Sequence, residues 1–130
     1  LVRKIVRKDI SGKKDVVLWS AAQETETFRA EKRLANLAQV YRSGIVRKIA
    51  RETLPSVIIL FGSYSRGEDK EQSDIDIFVQ SNERKMNLTP YRRSFGRKIH
   101  PCFESNLKSL DQNFRSNLCN GLILYGYLEL

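Results

Sequence analysis

Two carboxylates and a glycine–serine pair are the residues of this 130-residue chain best suited to act together. Asp74 and Asp76 are one residue apart, and Gly62-Ser63 precedes them by ten residues. On a β-strand alternate side chains share a face, so the two carboxylates would sit about 6–7 Å apart at the backbone. That spacing suits oxygen ligation of Mg2+, which completes its octahedron with water and substrate phosphates. Metal held there can lower the pKa of an attacking hydroxyl and stabilise a departing pyrophosphate. Gly62 permits a tight turn and close approach of backbone to phosphate. Ser63 adds a hydroxyl and an N–H, and a helix starting at Ser63 or Tyr64 would turn its free N–H groups toward the same anion. Four fixed residue types at fixed offsets recur by chance on the order of once in 10⁵ starts, so the pattern carries weight.

The elements around these residues have to place them. Val57-Ile58-Ile59-Leu60-Phe61 is an apolar run between Pro55 and Gly62, which predicts a strand buried on both faces. Asp74 to Val79 alternates acidic and apolar residues at its start, which predicts a strand with Asp74 and Asp76 on one face and Ile75 and Ile77 on the other. Lys98–Phe103 is a weaker strand interrupted by Pro101, and Leu122–Leu130 is a last strand or a buried tail. Upstream, Phe28, Leu34, Leu37, Ala38, Tyr41 and Ile45 mark a helical face between about Glu24 and Ala50, with a bend or a division into two helices at Ser43-Gly44. Thr53 and Leu54 should already be leaving the helix before Pro55. Thr89-Pro90 reads as an N-cap and first helical residue for a short helix closed by Gly96, and Leu107–Leu118 as a further helix. The first residues alternate basic and apolar up to Ile10, turn at Ser11-Gly12-Lys13-Lys14, and resume as Asp15–Trp19, predicting a basic β-hairpin.

Phe61-Gly62-Ser63-Tyr64-Ser65-Arg66-Gly67, followed by Ser73-Asp74-Ile75-Asp76-Ile77, resembles the motif of the minimal nucleotidyltransferases of the DNA polymerase β superfamily. That superfamily includes antitoxins found beside toxins. The resemblance covers roughly Val57 to Leu130. It implies that Gly62 and Ser63 bind the phosphates of an incoming nucleoside triphosphate, ATP or another, with Arg66 as a further phosphate contact. It also implies that Asp74 and Asp76 are the catalytic carboxylates and bind Mg2+, and that a nucleoside monophosphate passes to a hydroxyl, in some members on a partner toxin. The family carries a third acid on a later strand. Here Gly96-Arg97-Lys98-Ile99 leads to His100 instead, and Glu104, four residues on and on the same face of a regular strand, is the candidate third metal ligand. The hairpin and helical segment resemble the wing of a winged-helix DNA-binding module, whose Arg3, Lys4, Arg7, Lys8, Lys13 and Lys14 would neutralise phosphates.

The expected organisation is therefore a basic hairpin over residues 1–23, a helical connector over 24–55 and a nucleotidyltransferase domain over 56–130. The expected fold is α+β, a short mixed sheet with helices packed on one side. The charge agrees with that division. Residues 1–55 carry 13 Lys/Arg against 6 Asp/Glu, and residues 56–130 carry 10 against 9, so nearly all of the net +8 lies in the first part and points to an anionic partner such as DNA. Cys102 and Cys119 are read as reduced thiols. No apolar run is long enough to cross a bilayer and no signal peptide is visible, so the expected location is the cytoplasm, without a membrane partner. The lack of an initiator Met leads to the expectation of a start inside a longer chain or after a processed or disordered beginning. No Walker A motif, zinc pattern or hydrolase triad is present. Two functions stay open. One is an Mg2+-dependent nucleotidyltransferase. The other is a DNA-binding regulator or antitoxin that binds nucleotide but transfers slowly, because the third acid is missing.

Overall fold

A computed structural model describes the backbone of residues 2–8, 15–21 and 25–130, and side chains from Thr25 onward. Strands β1 (Val2–Lys8) and β2 (Asp15–Ala21) pair antiparallel from Val2 opposite Ala21 to Lys8 opposite Asp15, as the alternation predicts. The basic tip at Lys13 and Lys14 lies outside the described residues. Helix α1 (Glu26–Ser43) begins at Thr25, whose hydroxyl accepts the Phe28 N–H at 3.1 Å. It ends at Gly44 in the left-handed region, and α2 (Ile45–Thr53) follows directly, so of the two expected outcomes the segment forms two helices. Thr53 stays in the helix, and the exit comes one residue later at Leu54, with φ 47°.

From here the chain builds a sheet of four strands in the order β5-β4-β3-β6. Central strand β3 (Val57–Phe61) leads directly into the short helix α3 (Gly62–Arg66). Strand β4 (Ile75–Val79) pairs antiparallel with β3. After α4 (Thr89–Phe95), strand β5 (Ile99–Phe103) pairs parallel with β4. A 3-10 turn (Leu107–Ser109) and α5 (Gln112–Cys119) lead to β6 (Leu122–Gly126), antiparallel to β3 on its other side. The fold is the expected mixed α/β sheet flanked by helices. Pro101 does not disrupt β5, because β5 is an edge strand where a missing N–H costs no ladder bond.

Several boundaries differ from the sequence expectation. Thr89 is the first residue of α4 and not its cap; its N–H donates to Asn87 Oδ1 at 3.2 Å. The stretch Leu107–Leu118 divides because Asp111 caps a new helix, accepting the Phe114 N–H at 2.7 Å. The helices also pack on both faces of the sheet, not one. Ile58, Leu60, Ile75, Ile77, Val79 and Ile99 meet Val40, Ile45 and Ile49 of α1 and α2, while Val57, Ile59 and Phe78 meet Leu107, Phe114 and Leu118 on the opposite face. A central strand that is apolar at every position has to be covered twice, since each exposed face would leave its side chains in water. Among the described residues no helix is long and apolar enough to cross a membrane.

Helix α3 is held against α1 by close backbone approach. Gly67, at φ +69°, has no room for a Cβ against the Arg29 carbonyl of α1. Tyr64 is buried beneath this contact and donates its hydroxyl to Gln39 Oε1 at 3.1 Å. Burial pushes the Tyr64 phenol up to about 12 from its ordinary 10.0; the Arg97 guanidinium opposes this and Asp69 reinforces it. The folded chain then holds that proton more tightly than the unfolded one, so stability is intact below about pH 10 and falls as pH rises toward about 12. Urea unfolding of Tyr64→Phe should show a weaker loss of stability across that window than the parent chain. Parallel curves would assign the alkaline loss to other groups.

Candidate active site

The site is assembled at one end of the sheet face that α5 covers farther along. On β4, Asp76 shares a face with Phe78, and Asp74 stands just ahead of the strand. Phe78 packs on Phe114 of α5, ring centroids 6.1 Å apart, while Asp74 and Asp76 extend past this cover with side chains 36% and 32% exposed. Register brings two further groups to them. Asp76 pairs with Phe61 on β3, which places it beside the turn into α3, and it pairs with His100 on β5.

The turn into α3 is built around the carboxylate. Gly62 has φ +79°, and a Cβ there would overlap Asp76 Oδ2. Only glycine meets both demands, left-handed backbone and contact with a carboxylate. The buried Ser65 hydroxyl donates to the Gly62 carbonyl at 2.6 Å and fixes the turn from within. Gly62, Ser63, Asp74 and Asp76 are thus gathered at the ends of adjacent strands.

His100 completes the group. Its Nε2 lies 3.5 Å from Asp74 Oδ2 and its Nδ1 lies 3.9 Å from Asp76 Oδ1, with the imidazole about half exposed. Burial raises the Asp76 carboxyl above its ordinary value; His100 pulls it down and Asp74 pushes it up. Glu104 does not join them. It follows the end of β5, about 13 Å along a strand from His100, and its Oε1 accepts the Asn106 N–H at 2.9 Å. The Asn106 and Ser105 N–H groups and the Ser109 hydroxyl hold the Glu104 carboxyl below its usual range, so it caps a local turn. Glu104, expected as a third ligand, thus stands apart from Asp74 and Asp76, and the side chain beside them is that of His100. Arg66 is also turned away, its Nε donating to Glu68 Oε2 at 3.0 Å in a groove formed with Glu26, Arg29 and Arg33 of α1.

The loop from Gly67 to Ser73 that delivers Asp74 is tied down by residues that local sequence patterns do not single out. Asp69, 3% exposed, accepts from Asn36 Nδ2 at 2.8 Å and from Arg97 Nη2 at 2.8 Å. Lys32 Nζ lies 3.5 Å from the same carboxylate and donates to the Asp69 carbonyl. Arg97 also donates to the carbonyls of Lys70 and Ser73, at 2.6 and 2.9 Å, and its guanidinium stacks on Tyr64 at 5.3 Å. Asn36 in turn donates to the Tyr64 carbonyl at 3.0 Å. In sequence Asp69 reads as one more acid in a polar loop. The only hint is Arg97 in the Gly-Arg-Lys run ahead of β5.

The donor set is compatible with a divalent ion, because two partly exposed carboxylates share one face and leave room for substrate oxygens. Among the described residues no three His, Cys, Asp or Glu side chains are placed to hold a metal ion together, and the two imidazole nitrogens face different carboxylates. An open groove of about 550 Å3 between α2 and β6, lined by Arg47, Arg51, Leu54 and Leu124, lies at the other end of β3 and is separate from these groups.

The model of a family described as nucleotidyltransferase domain matches residues 43–115, from the end of α1 through the first half of α5, which is more than half of the chain. The chain belongs to the nucleotidyltransferase family. This nucleotidyltransferase is accordingly a transferase, and Gly62, Ser63, Asp74, Asp76 and His100 lie within the matched span. Among solved structures, one described as "Crystal structure of the toxin-antitoxin with AMP-PNP" is 24% identical, with 71% of this chain and 74% of that chain covered at a TM-score of 0.47. No curated protein matches.

Proposed function

We propose that the chain transfers a nucleoside monophosphate from ATP, or another nucleoside triphosphate, to a hydroxyl acceptor at Gly62, Ser63, Asp74 and Asp76. The observation that carries this reading is the contact of Gly62 with the Asp76 carboxylate, which joins the turn to the acids inside the family's matched span. Gly62 and Ser63 receive the triphosphate, the turn exposing backbone N–H groups where a side chain would block approach. Asp74 and Asp76 hold Mg2+, which when bound offsets phosphate charge and favours the hydroxyl nucleophile. The two carboxylates also orient whatever cation and phosphate they share, and the buried Asp69–Arg97 pair keeps the loop before Asp74 from drifting.

The acceptor follows from the resemblance to antitoxin-type nucleotidyltransferases: a hydroxyl, such as that of a tyrosine, on a partner toxin. Incubating the chain with α-labelled ATP, Mg2+ and candidate acceptor proteins tests the proposal. Label should appear on an acceptor and should fall by at least about 10²-fold in Asp74→Asn and in Asp76→Asn, the scale seen when a group stabilising transition-state charge is removed. Incorporation that persists in both variants would sink the reading.

One observation favours a second reading. An imidazole where the family has an acid supports slow or absent transfer, leaving a nucleotide-binding module whose basic hairpin meets DNA. Its signature is ATP binding and salt-sensitive DNA binding without label incorporation.

A further inference from the structure

The groove between α2 and β6 collects features that a surface left in water does not favour. Tyr41, Leu54 and Tyr125 line it and are 48%, 84% and 46% exposed. Among the described residues Leu54 alone has a positive φ without being glycine, at 47°. A helix that ends in left-handed backbone ordinarily places glycine or asparagine there, because a Cβ strains that conformation. Arg47 and Arg51, one turn apart on α2, line this groove and also a polar one toward Tyr91 of α4, so they form the ridge between the two. Like charges at that spacing repel. Among the described residues neither arginine has an acidic partner, since Glu52 is taken by Lys48. Open apolar side chains, a strained leucine and an uncompensated pair of charges each cost the free chain stability, and all lie on one surface. We infer that this groove docks an acidic amphipathic helix of a partner protein, apolar side chains entering beside Leu54 and Tyr125 and carboxylates meeting Arg47 and Arg51.

The groove itself selects among occupants. No Asp or Glu lines it, so a second copy of this chain, with its net charge of +8, would set arginine against arginine across a two-fold axis. A nucleic acid would satisfy the arginines, but it would press Leu54 and Tyr125 against a charged backbone, and such interfaces are polar. An added β-strand would run along β6, the edge of the sheet. There the bulge leaves Leu124 without a partner on β3, and the Leu124 carbonyl accepts the Tyr41 hydroxyl at 2.8 Å. That acceptor is closed to the backbone of another chain, so side chains have to fill the groove. A helix with an apolar stripe flanked by Glu or Asp presents both kinds of group at once. Leu54 and Tyr125 stand at the start of β3 and Gly62 follows its end, so the occupant leaves the glycine–serine turn uncovered.

Two synthetic peptides of about 18 residues, about five helical turns, serve as probes. One carries a leucine stripe flanked by glutamates, and the other has lysine at each glutamate position. Both are titrated into the isotope-labelled full chain, into Arg47→Glu/Arg51→Glu and into Leu54→Asn, with backbone amide shifts followed by NMR. The acidic peptide should shift amides of α2 and β6. Its affinity should be at least about tenfold above that of the basic peptide and should fall by at least about tenfold in the double-arginine variant, where like charges meet. Leu54→Asn should weaken binding while the unfolding midpoint stays level or rises, because asparagine accepts left-handed backbone. A leucine with a merely structural role would not separate those two readouts. No binding, equal affinity for the two peptides, shifts outside α2 and β6, or affinity unchanged in the variants overturns the proposal. A short DNA duplex and sedimentation equilibrium of the chain alone cover the other occupants. Duplex binding that needs Arg47 and Arg51 in place of peptide binding, or a dimer that Leu54→Asn dissociates, overturns the choice of partner.

Discussion

Replacing Asp69 with Ala should lower the stability of the chain by about 3–5 kcal/mol, the usual cost of removing one partner from a buried ion pair. The carboxylate is almost fully enclosed and meets Asn36, Arg97 and Lys32 at once. Without it, Arg97 keeps its bonds to the carbonyls of Lys70 and Ser73 but loses its counter-charge while only 16% exposed. Single domains are commonly stable by only about 5–15 kcal/mol, so the loss is a large share of the total. Chemical denaturation followed by circular dichroism measures it. Asp69→Asn keeps the shape and one acceptor, and should be milder than Asp69→Ala. A loss below about 1 kcal/mol for the Ala variant, the range of exposed pairs, would mean that the network behaves as a surface feature. Because the same network carries the loop into Asp74, nucleotidyl transfer should fall in the Ala variant even at temperatures where it stays folded.

Gly62→Ala is the second large effect, and it should act on function more than on stability. Left-handed backbone at a non-glycine residue costs on the order of 1–3 kcal/mol. The larger consequence is local. The new methyl would occupy space now held by Asp76 Oδ2, so the carboxylate must swing away or the turn must open. Either movement separates the phosphate-binding turn from the cation-binding acid, and a displacement of about 1 Å in a catalytic constellation can cost about 10²-fold in rate. Transfer assayed with labelled ATP should therefore drop by about that factor in Gly62→Ala while the unfolding midpoint shifts only modestly. Near-parental transfer would show that Asp76 tolerates the displacement and that the contact is incidental. Gly44→Ala is the matched control, since it has the same backbone sign, φ +83°, with open space around it and no site residue nearby.

The parts of the site that follow from period-two alternation were legible in the sequence. Asp74 and Asp76 share a face because side chains on one strand alternate, and the apolar run Val57–Phe61 marks a buried strand because no position in it tolerates water. The glycine that opens α3 was legible too, although the stronger reason for it, the Asp76 carboxylate, appears only once β3 and β4 are paired. Helix boundaries were less well marked: Leu88 occupies the cap position of α4 without a side-chain bond, and Asp111 caps α5 by accepting the Phe114 N–H. The second helical layer followed from an observation already at hand. A strand apolar on both faces requires cover on both, yet the expectation placed helices on one side only.

What belongs to tertiary structure is every relation between strands distant in sequence. Glu104 shares His100's face in a simple alternation, but the parallel register of β5 against β4 sets His100 level with Asp76 and carries Glu104 beyond the strand. The pairing of Asp69 with Arg97, 28 residues away, and with Asn36, 33 residues away, has no local signature, because a polar loop acid and a buried ion-pair acid are written alike. Alternation is a property of one chain segment and can be read from it. Register and burial depend on which segments meet, and that is decided by the packing of the whole sheet between its two helical layers. The sequence by itself determined the glycine–serine turn and the paired carboxylates, and the fold decided that an imidazole stands beside them.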